Sequence, residues 1–123
     1  MWPRVVEILI GAWLVASPAV FASADWRGWQ INEVVCGCII ILLGCLSFLP
    51  ATRRAHLAEI LVGAWMLGFA YGSSPYPAPA AVQNDVLIAI FLMTFAVIPN
   101  QASLPPRSWR EYLSAIPRPG STP

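Results

Sequence analysis

The sequence predicts an all-α membrane protein with four transmembrane helices, and both its composition and its charge spacing support this fold class. Of the 123 residues, 58% are hydrophobic and 11% are charged, whereas about 25% of the residues in an average soluble domain are charged. Long charge-free stretches cover residues 8–24, 34–52, 60–84 and 86–106. Each reaches the roughly 17 residues that a helix needs to cross a bilayer. A disordered chain is excluded, because disorder requires low hydrophobicity and high charge.

The apolar runs within these stretches give four predicted spans. They are Val5–Ala22, Val34–Leu49, Leu57–Tyr71 and Val82–Ile98. Helices are predicted rather than strands, because the runs are continuous and lipid offers no water to open backbone groups. An alternative for residues 1–24 is a cleaved signal peptide, since Ala22-Ser23-Ala24 resembles a cleavage site.

The arginines predict the orientation of the spans. Six of the seven lie on one side, namely Arg4, Arg53, Arg54, Arg107, Arg110 and Arg118. Only Arg27 lies on the other side, and positively charged short loops stay in the cytoplasm. We therefore expect a multi-pass protein of the plasma (inner) membrane with both termini cytoplasmic. The lipid bilayer is the expected partner, and a net charge of +1 argues against nucleic acid.

An internal duplication divides the chain. Residues 7–14 (EILIGAWL) recur as residues 59–66 (EILVGAWM), at an offset of 52 positions. The same offset places Asn32-Glu33-Val34 on Asn84-Asp85-Val86. Each copy holds two spans, so both copies share one orientation, and an axis along the membrane normal is expected to relate them. The mid-chain recurrence also argues against a signal peptide.

The duplication predicts three regions. Residues 1–50 form the first two-span repeat, residues 51–100 form the second, and residues 101–123 form a cytoplasmic Pro-rich tail. In the tail, apolar and aromatic side chains recur at helical spacing. They are Trp109, Tyr112, Leu113 and Ile116. We expect an amphipathic helix over residues 108–116 that lies on the membrane surface.

The first repeat carries a short motif, Gly11-Ala12-Trp13-Leu14-x-x-Ser17-Pro18. It resembles the SPW-repeat family of small integral membrane proteins, in which a two-span unit carries a Ser-Pro-Trp motif in its first helix. The resemblance covers about residues 5–99. The Trp of the motif is replaced by Ala19 here, and Phe69-Ala70 replaces Ser-Pro in the second copy. The resemblance implies a four-helix membrane protein and no established activity.

Small residues four positions apart occur at equivalent places in the first and third spans. The pairs are Ala12 with Ala16 and Ala64 with Gly68. This spacing lets helix backbones approach closely. We therefore expect the first and third spans to pack through these four residues. Trp13 and Trp65 are expected to flank the contact in the core, where each indole N–H needs a hydrogen-bond partner.

Glu7 and Glu59 are candidate interfacial acids. Each stands near the cytoplasmic start of its span and follows a cation candidate, Arg4 or His56, by three residues. The favoured role is structural, through these pairs and the helix dipole. The alternative is a place on an ion or proton path.

Two further polar motifs are interpreted as structural. Asn32 and Asn84 precede the even-numbered spans, as N-caps do. Pro18 removes a backbone hydrogen bond late in the first span, and Ser17 is expected to satisfy the freed carbonyl. A kink that shapes a cavity is the alternative for this pair.

The motifs favour a non-enzymatic protein. The sequence contains no phosphate loop, nucleophile elbow or zinc-ligand spacing, so we expect no catalytic residue, cofactor or metal. No acid, His or Arg lies at mid-span, which argues against a proton relay or a charged-substrate transporter. We expect a small structural or accessory protein that packs with itself or with a larger membrane complex.

The alternative is a small oligomeric channel or transporter for a neutral or apolar solute, and a membrane-embedded enzyme ranks third. A polar cavity lined by Ser17, Trp13 and Trp65 would favour transport. A filled interior with exposed small residues would favour the accessory role.

Overall fold

The described part of the structure, a computed structural model, consists of helices joined by turns and loops and contains no strand. It covers residues 2–21, 27–99 and 106–116. The helices are α1 (Trp2–Val20), α2 (Arg27–Leu46), α3 (Glu59–Ser73), α4 (Ala80–Ala96) and α5 (Arg107–Ala115). A short 3₁₀ helix, Ala55–Ala58, leads directly into α3. The expected all-α fold class is confirmed, while Ala22-Ser23-Ala24 lies outside the described residues.

Three of these elements are long and apolar enough to cross a membrane. They are α1, α2 and the continuous segment Ala55–Ser73, with 19, 20 and 19 residues. At 1.5 Å per residue, these lengths give about 30 Å, which matches a bilayer core. The 17 residues of α4 form a shorter apolar helix. Length and composition therefore identify a multi-pass membrane protein.

The even-numbered helices begin earlier than the charge-free stretches indicate. α2 begins at Arg27, seven residues before the expected Val34, and α4 begins at Ala80. Asn32 and Asn84 consequently lie in the second turn of their helices, and their prediction as N-caps is wrong. The charges did not mark the helix ends because the acids that follow these two residues turn into the bundle.

Close backbone contact holds α1 against α2. A methyl group added at Gly11 would lie 2.8 Å from the carbonyl oxygen of Gly37, and one added at Gly37 would lie 2.6 Å from that of Gly11. Neither distance is tolerable for a real side chain. Gly44 contributes to the same contact, because its added methyl group would lie 2.8 Å from a side-chain carbon of Ile8. These glycines let the two backbones approach as small residues do in membrane helix pairs.

The pairing of α3 with α4 repeats this geometry. A methyl group added at Gly63 would lie 3.2 Å from the carbonyl oxygen of Ala89 and 2.5 Å from the Met93 side chain. Gly63 and Ala89 stand 52 positions after Gly11 and Gly37. The two hairpins then meet through α1 with α4 and through α2 with α3.

The expected seam between the first and third spans is not formed. Its members, Ala12, Ala16, Ala64 and Gly68, are all exposed. Open space surrounds Gly68, where an added methyl group would meet no atom within 4 Å. The inward positions belong to Gly11 and Gly63, one residue before Ala12 and Ala64. One residue turns a helix by about 100°, so the predicted strip points away from the bundle.

α5 covers residues 107–115, close to the expected range 108–116. None of its described residues is buried, and Trp109, Tyr112 and Leu113 are all more than half exposed. Its location on the membrane surface stays a prediction.

Candidate functional site: two buried polar clusters

Polar side chains gather at two places inside the four-helix bundle. We call Arg4, Glu7 and Glu59 the Arg4 cluster, and Ser17, Glu33 and Asp85 the Glu33 cluster. Five of the six side chains are at most 1% exposed, and Glu33 is 3% exposed. Burying charged groups is costly unless they are paired or neutralised, so both clusters require a physical explanation.

The Arg4 guanidinium organises the first cluster. Its Nη1 lies 2.6 Å from Oε1 of Glu7 and donates a 2.7 Å hydrogen bond to Oε2. Its Nη2 donates to the carbonyl oxygens of Phe95 and Ile98, at 3.2 and 2.5 Å. Those carbonyls lie in the last turn of α4 and just beyond it, where a cation is favourable. Arg4 therefore ties the start of α1 to the end of α4.

Glu59 brings a second acid to this cluster from α3. Its carboxyl group lies beside that of Glu7. Neither oxygen of Glu59 receives a donor from the described residues. His56, its expected partner, instead contacts the Arg53 carbonyl through Nδ1 at 3.0 Å, and its backbone N–H donates to Ser47. Glu7 and Glu59 are thus buried inside the bundle, and Glu7 pairs with Arg4 as expected, while their position at the membrane interface stays a prediction.

The Glu33 cluster combines groups from three helices. The Ser17 hydroxyl of α1 donates to Oε2 of Glu33 in α2, at 2.9 Å. The carboxyl groups of Glu33 and Asp85, the latter from α4, are hydrogen-bonding neighbours. Oδ1 of Asp85 has no donor among the described residues. Unlike the Arg4 cluster, this site contains no guanidinium group.

Pro18 explains the local geometry at Ser17. Because proline has no N–H, it leaves the carbonyl four residues earlier without its helical donor. That carbonyl belongs to Leu14, and the Ser17 hydroxyl lies 2.9 Å from it. α1 nevertheless continues to Val20. The Ser17 hydroxyl is therefore placed to satisfy the freed carbonyl, as the sequence predicts, but its single hydrogen has a second acceptor within reach in Glu33 and is donated to one of the two at a time.

Two matched hydrogen bonds connect the hairpins near the Glu33 cluster. The indole N–H of Trp13 donates to Asn84, and that of Trp65 donates to Asn32, both at 3.0 Å. The expected indole partners therefore exist. The rings themselves do not lie in the core, because Trp13 is 41% and Trp65 60% exposed. We expect the exposed faces of both indole rings to contact lipid.

The contacts recur at a sequence offset of 52. Glu7 meets Glu59, and Glu33 meets Asp85, so each acid pair joins residues 52 positions apart. The two Trp–Asn bonds are likewise related by this offset at both ends. The sequence duplication was visible in advance, but it did not show that duplicated acids meet each other.

An apolar layer separates the clusters. Ten residues lie between Glu7 and Ser17 on α1, which is about 15 Å along the axis. The layer is filled by buried side chains from all four long helices, namely Leu14, Cys36, Ile40, Met66, Ala89 and Leu92. Among the described residues, the clusters are therefore separate polar sites on either side of this apolar layer.

An apolar groove of about 600 Å³ runs along the outside of the bundle between α2 and α3. Its lining includes Val35, Ile39, Val62, Trp65 and Phe69. The Trp65 and Phe69 rings stack with their centroids 6.2 Å apart. This groove suits an apolar chain or solute better than a polar one.

The described residues hold no group of three or more His, Cys, Asp or Glu side chains that could bind a metal ion. Cys36 is buried, while Cys38 and Cys45 are exposed. The arrangement brings carboxyl groups together in pairs and supplies one guanidinium and one hydroxyl group. Such groups can bind protons and fix the positions of the helices.

A family model described as the SPW repeat domain matches residues 1–99 of this chain. The match covers all four long helices and both polar clusters. No curated protein and no solved structure matches the chain.

Proposed function

This chain belongs to the SPW repeat family, and we propose that it is a small, non-enzymatic accessory or structural protein of the membrane. It packs laterally with itself or with a larger membrane complex. The observation that carries this proposal is the combination of a filled interior with small residues left on the outer surface. Leu14, Ile40, Ala89 and Leu92 are fully buried between the polar clusters.

The unused small residues provide the contact surface. Ala12 and Ala16 on α1, and Ala64 and Gly68 on α3, are exposed although they have the spacing that membrane helices use for close approach. In lipid, association depends on such close van der Waals contact, because the hydrophobic effect provides little drive between helices. We call these four residues the small-residue surface.

The proposal includes a topology. Both termini and the loop at Arg53 face the cytoplasm of the plasma membrane, and the loop at Pro77 faces outward, because arginine is concentrated on the first side. Residues 1–50 and 51–100 act as tandem hairpin repeats related by an axis along the membrane normal. α5 lies on the cytoplasmic membrane surface through Trp109, Tyr112 and Leu113. Reporter fusions at residues 53, 77 and 104 test the orientation.

Cross-linking in native membranes tests the accessory role. Single-cysteine variants at Ala12, Ala64 and Gly68, in a background without the three native thiols, should give discrete adducts with a second copy or a larger complex. The matched control is a cysteine at Leu87, which is exposed on α4. Adducts that form equally at residue 87, or at no position, would contradict the proposal.

A second candidate rests on the groove between α2 and α3. Its size and apolar lining fit an alternative role as an oligomeric channel or transporter for a neutral or apolar solute. Liposome flux distinguishes the two functions. Trp65→Ala opens the groove and should alter flux if transport is the function, whereas Gly68→Leu should alter only association.

A further inference from the structure

The Glu33–Asp85 pair presents an electrostatic problem inside the membrane. The two side chains are 3% and 1% exposed, and their carboxyl groups lie in hydrogen-bonding contact. Two ionised carboxylates at this separation repel each other, and burial makes the repulsion stronger. The contact becomes favourable when one carboxyl group carries a proton and donates it to the other.

Neighbouring groups in the described part of the chain do not supply the missing positive charge. α1 contributes the neutral Ser17 hydroxyl, and α2 contributes the Cys36 thiol, one turn after Glu33. The cation nearest to Glu33 in the sequence is Arg27, which is exposed at the start of α2. On α3, Glu59 belongs to the opposite cluster, and Tyr71 is 93% exposed. α4 has no titratable side chain besides Asp85.

One oxygen of the pair also lacks a partner. Oδ1 of Asp85 is buried without a hydrogen-bond donor in the described part of the chain. A buried carboxylate oxygen without a donor loses its solvation and gains nothing in return. A proton on the Asp85 carboxyl group removes most of that cost, because a neutral carboxyl oxygen needs far less solvation than an ionised one.

We propose that Glu33 and Asp85 form a proton-binding site within the membrane, in which the two carboxyl groups share one proton and Ser17 donates its hydroxyl hydrogen to Glu33. The proton is the ligand of this site. The inference does not depend on the accessory role, because it rests only on contacts within one chain.

Infrared spectroscopy of the full chain in lipid nanodiscs tests the site. The C=O stretch of a protonated carboxyl group is absent from an ionised carboxylate. The difference spectrum between the unsubstituted chain and the Glu33→Gln/Asp85→Asn double variant at neutral pH should contain the protonated band. Glu111→Gln on exposed α5 is the control, and its difference spectrum should contain carboxylate bands only. A double-variant spectrum that also shows only carboxylate bands would overturn the proposal.

A measurement on the unsubstituted chain covers the case in which the double variant fails to fold. The chain contains only two Asp residues, at positions 25 and 85, and four Glu residues. Carbon-13 labelling of aspartate alone, which leaves Glu7 and Glu59 unlabelled, should shift a protonated carboxyl band at neutral pH, and the band should persist in Asp25→Asn. If no protonated band shifts, the site holds no proton.

The pH dependence of unfolding gives an independent readout. A proton that is held in the folded state but released on unfolding makes the folded state bind more protons, so stability falls as pH rises. Between the pH at which free carboxyl groups ionise and the pH at which the folded site releases its own proton, the unfolding equilibrium constant of the unsubstituted chain should rise by a factor of ten more per pH unit than that of the double variant. Equal slopes would contradict the proposal, as would a stability of the unsubstituted chain that depends on sodium ions instead of pH.

Discussion

The Arg4 cluster and the Glu33 cluster each unite two acids that stand 52 positions apart, yet their remaining partners differ. Arg4 provides a cation to the first pair, and the residue 52 positions later is His56, whose ring turns to the Arg53 carbonyl. Ser17 provides only a hydroxyl to the second pair, and its counterpart is Phe69. Acids can therefore recur at equivalent positions of the two repeats while the groups that neutralise them do not.

This asymmetry predicts that the two clusters respond differently to the loss of their partners. Removing a cation leaves an uncompensated buried charge, whereas removing a hydroxyl leaves an unsatisfied acceptor. The first change is the more costly of the two. Substitution of Arg4 and of Ser17 measures these two costs separately.

Arg4→Met should have the largest effect. It removes the partner of Glu7 and the donor to the Phe95 and Ile98 carbonyls while keeping a similar side-chain volume. We expect a loss of about 3–5 kcal/mol, as for other broken buried ion pairs. Chemical denaturation in mixed micelles measures it, and Arg27→Met at an exposed position should stay within about 0.5 kcal/mol. A loss below about 1 kcal/mol for Arg4→Met would mean that Arg4 does not organise its cluster.

Ser17→Ala should have a smaller effect at the opposite cluster. The variant loses the single hydroxyl hydrogen that is donated either to Glu33 or to the Leu14 carbonyl. An unsatisfied buried acceptor costs about 1–3 kcal/mol. Ser114→Ala is the matched control, since that hydroxyl also donates to a carbonyl three residues earlier but is exposed on α5. Equal losses for the two variants would show that burial of Ser17 contributes nothing.

Trp13→Phe and Trp65→Phe should have the smallest and most similar effects. Each variant keeps an aromatic ring and loses one 3.0 Å hydrogen bond to an asparagine of the other hairpin. We expect about 0.5–1.5 kcal/mol for each, measured by the same denaturation assay. Combination with Asn84→Ala or Asn32→Ala should produce little further loss. If the losses of stability in the Trp and Asn variants add fully in the double variants, the assigned Trp–Asn hydrogen bonds are contradicted.

The apolar part of the fold follows from the sequence, whereas the polar part does not. Charge-free runs of sufficient length predict spanning helices for simple reasons of solvation, and the helices are found there. The charges at Arg27 and Glu33 misplaced the start of α2, because the acid faces another acid in the bundle and not water. The pattern of residues along the sequence does not show that Glu33 meets another acid, because this contact depends on how α2 and α4 are rotated about their axes.

Helix rotation also explains the error in the predicted seam. Gly11 and Ala12 are both small, and the choice between them requires knowing which face meets α2. The close approach of Gly11 to Gly37 settles this choice in the structure. The duplicated Gly63 indicated the same face, because glycine permits the closest backbone contact. The recurrence of Gly at both positions was therefore the more informative pattern.

Proximity of repeat-related acids is the central claim of this account, and cross-linking tests it most directly. Glu33→Cys and Asp85→Cys are combined in a chain without the three native thiols, and a short bifunctional thiol reagent is added in membranes. We expect an intramolecular bridge between positions 33 and 85. A second chain carrying Ala12→Cys and Ala64→Cys should give no such bridge within one molecule. Failure at 33 and 85, together with an intramolecular bridge between 12 and 64, would contradict the account.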